Sequence, residues 1–262
     1  MRLGVSTSCL FPLETERSLE RLGALGVSTA EVFLNSPSEA KPDFISQLAR
    51  IAREGHVHIT AVHPYCSDTE GFVFFGRYPR RLADGMEEYR RMFEDCAALG
   101  ASILVFHGAK KFQTFPREVY WKRFALLSEE ARQYGVTLCQ ENVARCMSHD
   151  IGFIRAMKAA MPQARFVLDT KQALRSGLDP VELADAMGDQ LARVHISDWR
   201  ADCDCVPPGE GEMDYAPFFE KLRKTGFDGD VIIELYRWGF EEERALTDSL
   251  AYLKRFCPEA DA

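Results

Sequence analysis

Short apolar runs and helix-spaced apolar stripes take turns along the whole of this chain. A run of roughly four to eight apolar residues between turn signals reads as a buried strand, and apolar residues every three or four positions read as a helix face. Leu3 to Thr7 is the first strand, followed by a helix from Ser18 to Gly26. Ala30 to Leu34 is the second, and Phe44, Leu48 and Ile51 mark the helix after it, closed by Gly55. His58 to His63 is the third strand, halted by Pro64. Leu82, Met86, Tyr89, Phe93, Cys96 and Leu99 form an amphipathic stripe that Gly100 closes.

The alternation continues to the end. Ser102 to Gly108 is the fourth strand, with a helix through Tyr120, Phe124, Leu127, Ala131 and Tyr134. Val136 to Glu141 is the fifth, with a helix through Phe153, Ile154 and Met157. Arg165 to Asp169 is the sixth, and Asp179-Pro180-Val181-Glu182 predicts a helix start, with Asp179 as N-cap and Glu182 as its reciprocal cap. Ala192 to Ile196 is the seventh strand, followed by a helix through Phe218, Phe219 and Leu222. Asp230 to Leu235 is the eighth, and Leu246, Leu250 and Leu253 belong to a closing helix. Such alternation implies parallel strands with helical crossovers. About eight units in 262 residues predict one (β/α)8 barrel domain over residues 1–262, without a linker. One connection is unusually long. Pro64 to Arg80 carries Phe72, Phe74, Phe75 and Tyr78, and reads either as a loop packed on its own side chains or as a lid over the barrel mouth.

Composition narrows the setting. A net charge of −8 opposes a general nucleic-acid or anionic-membrane surface. No apolar run approaches the roughly 18 residues of a membrane span, and the N-terminus enters a strand at once without a signal peptide. The eight cysteines are scattered, which reads as reduced cytosolic thiols and a cytoplasmic protein. Cys203 and Cys205 form a C-x-C pair with no partner pair, a weak zinc signal better read as loop thiols.

In such a barrel, chemistry sits at the C-terminal ends of the strands. His63, His107, Glu141, Asp169, His195 and Glu234 fall there. Taken singly, a strand-end histidine is more often structural, and a strand-end carboxylate more often caps the next helix. Together they converge on one mouth, where several carboxylates without a cation would repel and protonate. One imidazole and three carboxylates suit a single divalent ion: Mn²⁺, Mg²⁺, Co²⁺ or Zn²⁺.

The order of these pieces resembles the xylose-isomerase-like TIM barrels, a superfamily of sugar and sugar-phosphate isomerases and epimerases. The resemblance rests on His63-Pro64, Phe106-His107-Gly108, Gln140-Glu141-Asn142, Leu168-Asp169-Thr170 and Val194-His195-Ile196-Ser197-Asp198. Pro208 to Tyr215 and Ile233-Glu234 complete it. It implies a metal held by Glu141, Asp169, His195 and Glu234, with Glu141 and Glu234 also moving protons on opposite faces of the substrate. His63, His107, Gln172, Arg200 and Glu210 fall where substrate contacts are expected. Trp199 and Trp238 follow the last two strands and could stack on a sugar or pack at the rim. Lys110 and Lys111 could receive a phosphate. One departure is clear. The family often has histidine three residues after the strand-six aspartate, and here that residue is Gln172, an amide that cannot titrate near neutrality.

The expected reaction is isomerisation or epimerisation of a small sugar or sugar phosphate through a metal-stabilised enediolate, with carboxylates moving the proton. An inosose-type dehydratase and a hydroxypyruvate-like isomerase are close alternatives. A non-catalytic binding barrel is a rival of a different class. An apurinic-site endonuclease with three zinc ions needs further histidines, and the strand-seven loop offers Asp202-Cys203-Asp204-Cys205 instead. A homo-oligomer is compatible with the sequence.

Overall fold

The strands in chain order are β1 (Arg2–Ser6), β2 (Thr29–Phe33), β3 (His58–His63), β4 (Ile103–Phe106) and β5 (Thr137–Glu141). They continue as β6 (Arg165–Asp169), β7 (Leu191–Ile196), β8 (Asp198–Arg200), β9 (Cys203–Val206) and β10 (Asp230–Ile233). The helices are α1 (Thr15–Ala24), α2 (Pro42–Glu54), α3 (Glu70–Phe75), α4 (Pro79–Leu99) and α5 (Arg117–Arg132). Then come α6 (Ile151–Ala160), α7 (Thr170–Arg175), α8 (Pro180–Met187), α9 (Tyr215–Lys224) and α10 (Arg244–Lys254). The computed structural model describes residues 1–257, so residues 258–262 of the expected domain lie outside the described residues.

Parallel pairing runs β1-β10-β7-β6-β5-β4-β3-β2 and returns to β1, closing a (β/α)8 barrel. Two side-chain layers follow from the two-residue period of a strand. Outward residues such as Leu104, Phe166, Leu168 and Val194 join one large core with Phe93, Phe124, Phe153 and Phe218 from the helices. Burying each such side chain stabilises the fold by about 1.5–3 kcal/mol. Inward residues Val105, Cys139 and Val167 form a smaller cluster inside the barrel. One strand period above Cys139 and Val167 stand Glu141 and Asp169, so the inner core is the floor of the mouth.

Several expectations need correction. Pro64 to Arg80 is not a structureless loop: it holds α3, whose Phe74 and Phe75 are buried in the core. It is also pinned at the strand ends. Glu70 Oε2 accepts from His107 N at 2.7 Å and Gly108 N at 2.6 Å, and Arg123 donates to Phe74 O. Cys203 and Cys205 are not loop residues but lie on β9, paired antiparallel with β8. Cys9, Cys66, Cys96, Cys139, Cys146, Cys203 and Cys205 are free thiols. Asp179 caps α8 by accepting from Val181 N, whereas Glu182 leaves the cap and pairs with Arg155 at 3.0 Å. Among the described residues, no helix is long and apolar enough to cross a membrane.

Candidate metal centre and active site

Side-chain clamps extend the ladder just where the strands end. Asn142 Oδ1 accepts from Asp169 N at 2.7 Å, and its Nδ2 donates to Asp169 O at 2.9 Å, so an amide side chain mimics one more strand pair between β5 and β6. Thr170 Oγ1 accepts from Ser197 N at 3.0 Å and ties β6 to β7. Gln140 Nε2 donates to Phe106 O and His107 O, tying β5 to β4. These clamps hold Glu141, Asp169 and His195 on adjacent strands at one level. Glu234 follows β10, with its N–H bonded to Ile196 O at 3.2 Å.

Glu141, Asp169, His195 and Glu234 each bring one ligand atom to a common point, all within 4.8 Å of one another. Asp169 Oδ2, His195 Nδ1 and Glu234 Oε2 are buried without a hydrogen-bond partner, and Glu141 turns Oε1 toward His195 Nδ1, at 3.4 Å. His195 Nδ1 lies 3.0 Å from Glu234 Oε2, close but without hydrogen-bond geometry. Unpaired buried polar atoms are costly, and three of them beside a Glu141 oxygen define a hole for a cation. Asp169 meets both readings of a strand-end acid: Oδ1 caps α7 by accepting from Gln172 N at 2.8 Å, and Oδ2 faces the hole.

The electrostatics agree. Burial, with Glu234 and Glu141 adding to it, pushes the Asp169 carboxyl up to about 7, while Lys171 opposes the shift. Burial also disfavours the Glu141 and Glu234 carboxylates, but positive neighbours outweigh it and hold both below the usual range. For Glu141 these are the three histidines, led by His107; for Glu234 they are Lys171 and His195. Burial works against the His195 cation, yet Glu31 and Glu234 raise its pKa well above the ordinary value. The carboxylates at the mouth thus have Lys171 and the His195 ring as positive neighbours.

A second group adjoins the first through Glu141. His63, His107 and Glu141 also bring ligand atoms within 4.8 Å of one another. The two Nε2 atoms lie 2.9 Å apart, so one ring donates to the other, and His107 Nε2 lies 2.9 Å from Glu141 Oε2. Phe33 stacks on His63 at 4.1 Å and fixes its plane. Burial lowers the pKa of His107, which keeps it neutral despite Glu141.

The other candidates are spread wider. Gln172 is buried beside Asp169, and its Oε1 accepts from Ala144 N at 3.0 Å, holding the loop after β5. Trp199 and Arg200 lie on β8. Trp199 packs against the core, whereas Trp238 is 67% exposed and stacks on Tyr236 at 5.4 Å. Arg200, Glu210 and Trp238 line a separate cavity of about 530 Å³ that none of the four converging residues borders. Lys110 is buried and reaches Asp68 at 3.5 Å, an aspartate also paired with Arg145; Lys111 points to solvent. The stretch from Pro208 is organised by Asp198, which accepts from Gly209, Gly211 and Met213 N–H groups at 2.9–3.1 Å. A Cβ at Gly211 would lie 2.3 Å from Asp198 Oδ1.

Three residues of the site were not found by reading strand ends. Glu31 on β2 is fully buried, and its Oε2 lies 3.0 Å from His195 Nε2. Arg193, also fully buried, reaches Thr60 Oγ1 at 2.6 Å and Asp230 Oδ2 at 3.2 Å. Lys171 is buried beside Asp169 and Glu234. The available signal was a charge inside an apolar strand in Ala30-Glu31-Val32 and Ala192-Arg193-Val194. Such charges are rarely fully buried unless paired.

A family model described as the xylose isomerase-like TIM barrel matches residues 19–256. The chain belongs to that family. Within it, the 3-dehydro-D-guloside 4-epimerase of Escherichia coli K12 is 25% identical over 276 residues, covering 97% of this chain and 99% of that one. The structure of a D-tagatose 3-epimerase-like protein superposes with a TM-score of 0.81 at 19% identity, covering 99% and 98% of the two chains. The IOLI protein, solved with a zinc atom bound, superposes at 0.79 with 21% identity, covering 99% of each.

Proposed function

We propose that this protein is a divalent-metal-dependent epimerase or isomerase of a small sugar or sugar phosphate, working by proton transfer next to a carbonyl. The observation that carries this reading is the convergence of Glu141, Asp169, His195 and Glu234, whose ligand atoms lie within 4.8 Å of one another, with Asp169 Oδ2, His195 Nδ1 and Glu234 Oε2 buried and unpartnered. The family membership and the epimerase relative support it. The donor set of three carboxylates and one imidazole fits Mn²⁺, Mg²⁺, Co²⁺ or Zn²⁺. Bound there, the ion would supply Lewis-acid polarisation of a substrate carbonyl, which acidifies the neighbouring C–H.

Each side chain then has its own task. His195 faces the hole through Nδ1, because Nε2 is directed at Glu31. Asp169 is fixed by its N-cap bond and acts as a ligand. Glu141 and Glu234 stand on opposite sides of the β6–β7 pair, placed to take and return a proton on different faces of a substrate between them. His107, neutral and 2.9 Å from Glu141 Oε2, is placed to exchange that proton with the mouth. His63 holds His107 in register. Gln172 is the proposed substrate contact at the centre; Arg200, Glu210 and Trp238 line a separate cavity and Trp199 packs on the core, so these four would meet only a substrate that extends beyond the centre.

The test is solvent-proton exchange in D₂O across ketoses, aldoses and their phosphates, with Mn²⁺ added and bound metal measured on the same samples. Deuterium should enter a carbon next to the carbonyl. Glu141→Gln and Glu234→Gln should each lose roughly 10²–10⁴-fold in rate while keeping one ligand oxygen, and extra Mn²⁺ should not restore them. Asp169→Asn should recover part of its activity with metal. Wild-type protein that retains no divalent ion and exchanges no substrate proton would instead be a binding barrel.

A further inference from the structure

The cation hole already has one positive neighbour. Lys171 Nζ lies 3.4 Å from Asp169 Oδ2 and 3.6 Å from Glu234 Oε2. Both oxygens are buried and unpartnered, and both face the hole. The Lys171 side chain is only 3% exposed, so the ammonium has no solvated alternative nearby. It is also held from behind. The Tyr236 ring lies 4.8 Å from Nζ, and Arg175 Nη1 donates to the Tyr236 hydroxyl at 2.9 Å. Arg175 is fixed in turn by two contacts to Asp204, at 2.6 and 3.1 Å.

A lysine normally keeps its head in water. Here it has been drawn in against two proposed ligands, and this has a consequence for charge. Glu141, Asp169 and Glu234 bring three negative charges, a divalent ion would bring two positive ones, and Lys171 brings the third. A centre without the lysine would stay negative when loaded.

We propose that Lys171 is a built-in counter-cation of the metal centre, a positioning residue that weakens divalent-ion binding and makes the loaded centre electrically neutral. The inference rests on the metal-centre reading above. Its ammonium attracts the same two carboxylate oxygens that an ion would need, and it repels the ion itself. Two like charges a few ångströms apart in a partly desolvated site interact strongly enough to alter binding by an order of magnitude or more. The exchange is reciprocal: the lysine stabilises the acid cluster when no ion is present, and moderates the grip when one arrives. A neutral loaded centre also leaves negative charge to develop on the substrate without a net anionic background.

The experiment is Mn²⁺ affinity by equilibrium dialysis, together with thermal unfolding with and without Mn²⁺, on wild-type protein, Lys171→Met, Lys171→Gln and Lys171→Arg. The neutral variants should bind Mn²⁺ at least about tenfold more tightly. Their unfolding temperature should fall without metal and rise more than that of wild type when Mn²⁺ is added. Lys171→Arg should stay close to wild type. A general packing defect would loosen metal binding, so tightening separates electrostatic control from structural damage. If a neutral variant does not fold without metal, refolding with Mn²⁺ and competition against a chelator give the same affinity. Unchanged or weaker binding in both neutral variants overturns the role of Lys171 while leaving the metal centre standing. Failure of wild-type protein to bind any divalent ion overturns both.

Discussion

Nε2 of His195 on β7 lies 3.0 Å from Oε2 of Glu31 on β2, across the interior of the barrel. That contact orients the ring and directs Nδ1 at the other three converging residues. Replacing Glu31 with glutamine keeps the volume but removes the charge that favours this orientation. Glu31→Gln should therefore weaken Mn²⁺ affinity by about 10–100-fold, as read by equilibrium dialysis. Unchanged affinity would mean that packing alone sets the ring.

Metal binding should depend on pH with a definite sign. In metal-free protein the acids hold His195 protonated, and the Asp169 carboxyl sits at about 7. A ligand must give up its proton, so affinity should rise from about pH 6 to about pH 8 with proton release. Calorimetry in buffers of different ionisation enthalpy measures that release directly. A flat profile with no protons released would contradict the arrangement.

Stability without metal should move the other way. The folded Asp169 carboxyl is raised above the ordinary value of about 4. Its contribution is present below that value and is lost as pH rises through about 7. Glu141 and Glu234, held low, reach their full contribution once pH passes the ordinary glutamate value of 4.5, so they offset only the first part of the loss. Chelator-treated protein should thus lose stability between about pH 4 and about pH 7, and added Mn²⁺ should offset the loss. Urea denaturation at several pH values, with and without metal, tests both halves.

Arg193 should be among the most sensitive positions outside the proposed ligands. It is fully buried between Asp230, Thr60 and Glu31. Arg193→Ala takes the guanidinium away from both Glu31 and Asp230 and opens a cavity, which should cost about 3–5 kcal/mol. If denaturant unfolding shows a loss below about 1 kcal/mol, the pair is contributing no more than a surface bridge.

Gly108 follows His107 with φ +81°, and a Cβ there would fall 1.9 Å from the Tyr120 hydroxyl. That hydroxyl donates to Gln140 Oε1, whose amide ties β5 to β4. Gly108→Ala combines backbone strain with displacement of Tyr120, and should destabilise by roughly 2 kcal/mol or more. It should also reduce activity by moving His107. Wild-type stability in thermal unfolding would show that the turn relaxes freely.

The barrel and the inward placement of its strand-end residues were legible in the sequence because both depend on local period. Val105, Cys139 and Val167 alternate with outward residues, and the next inward positions after Cys139 and Val167 are Glu141 and Asp169. A two-residue period carries that information within a single strand. What joined those residues to Glu31, Arg193 and Lys171 was not local. Glu31 and His195 are 164 positions apart and meet only because β1 closes the barrel by pairing with both β2 and β10. Lys171 carries no local signal in the sequence. Only the turn from β6 into α7 sets its ammonium against two buried carboxylates. The segment after β3 shows the same division. Its aromatics left a self-packed loop and a lid both open, whereas Glu70 found its place through the N–H groups of His107 and Gly108, which come free only once β4 has ended at the barrel mouth. The sequence determines which side chains each strand offers to the interior; barrel closure decides which of them share one charge field.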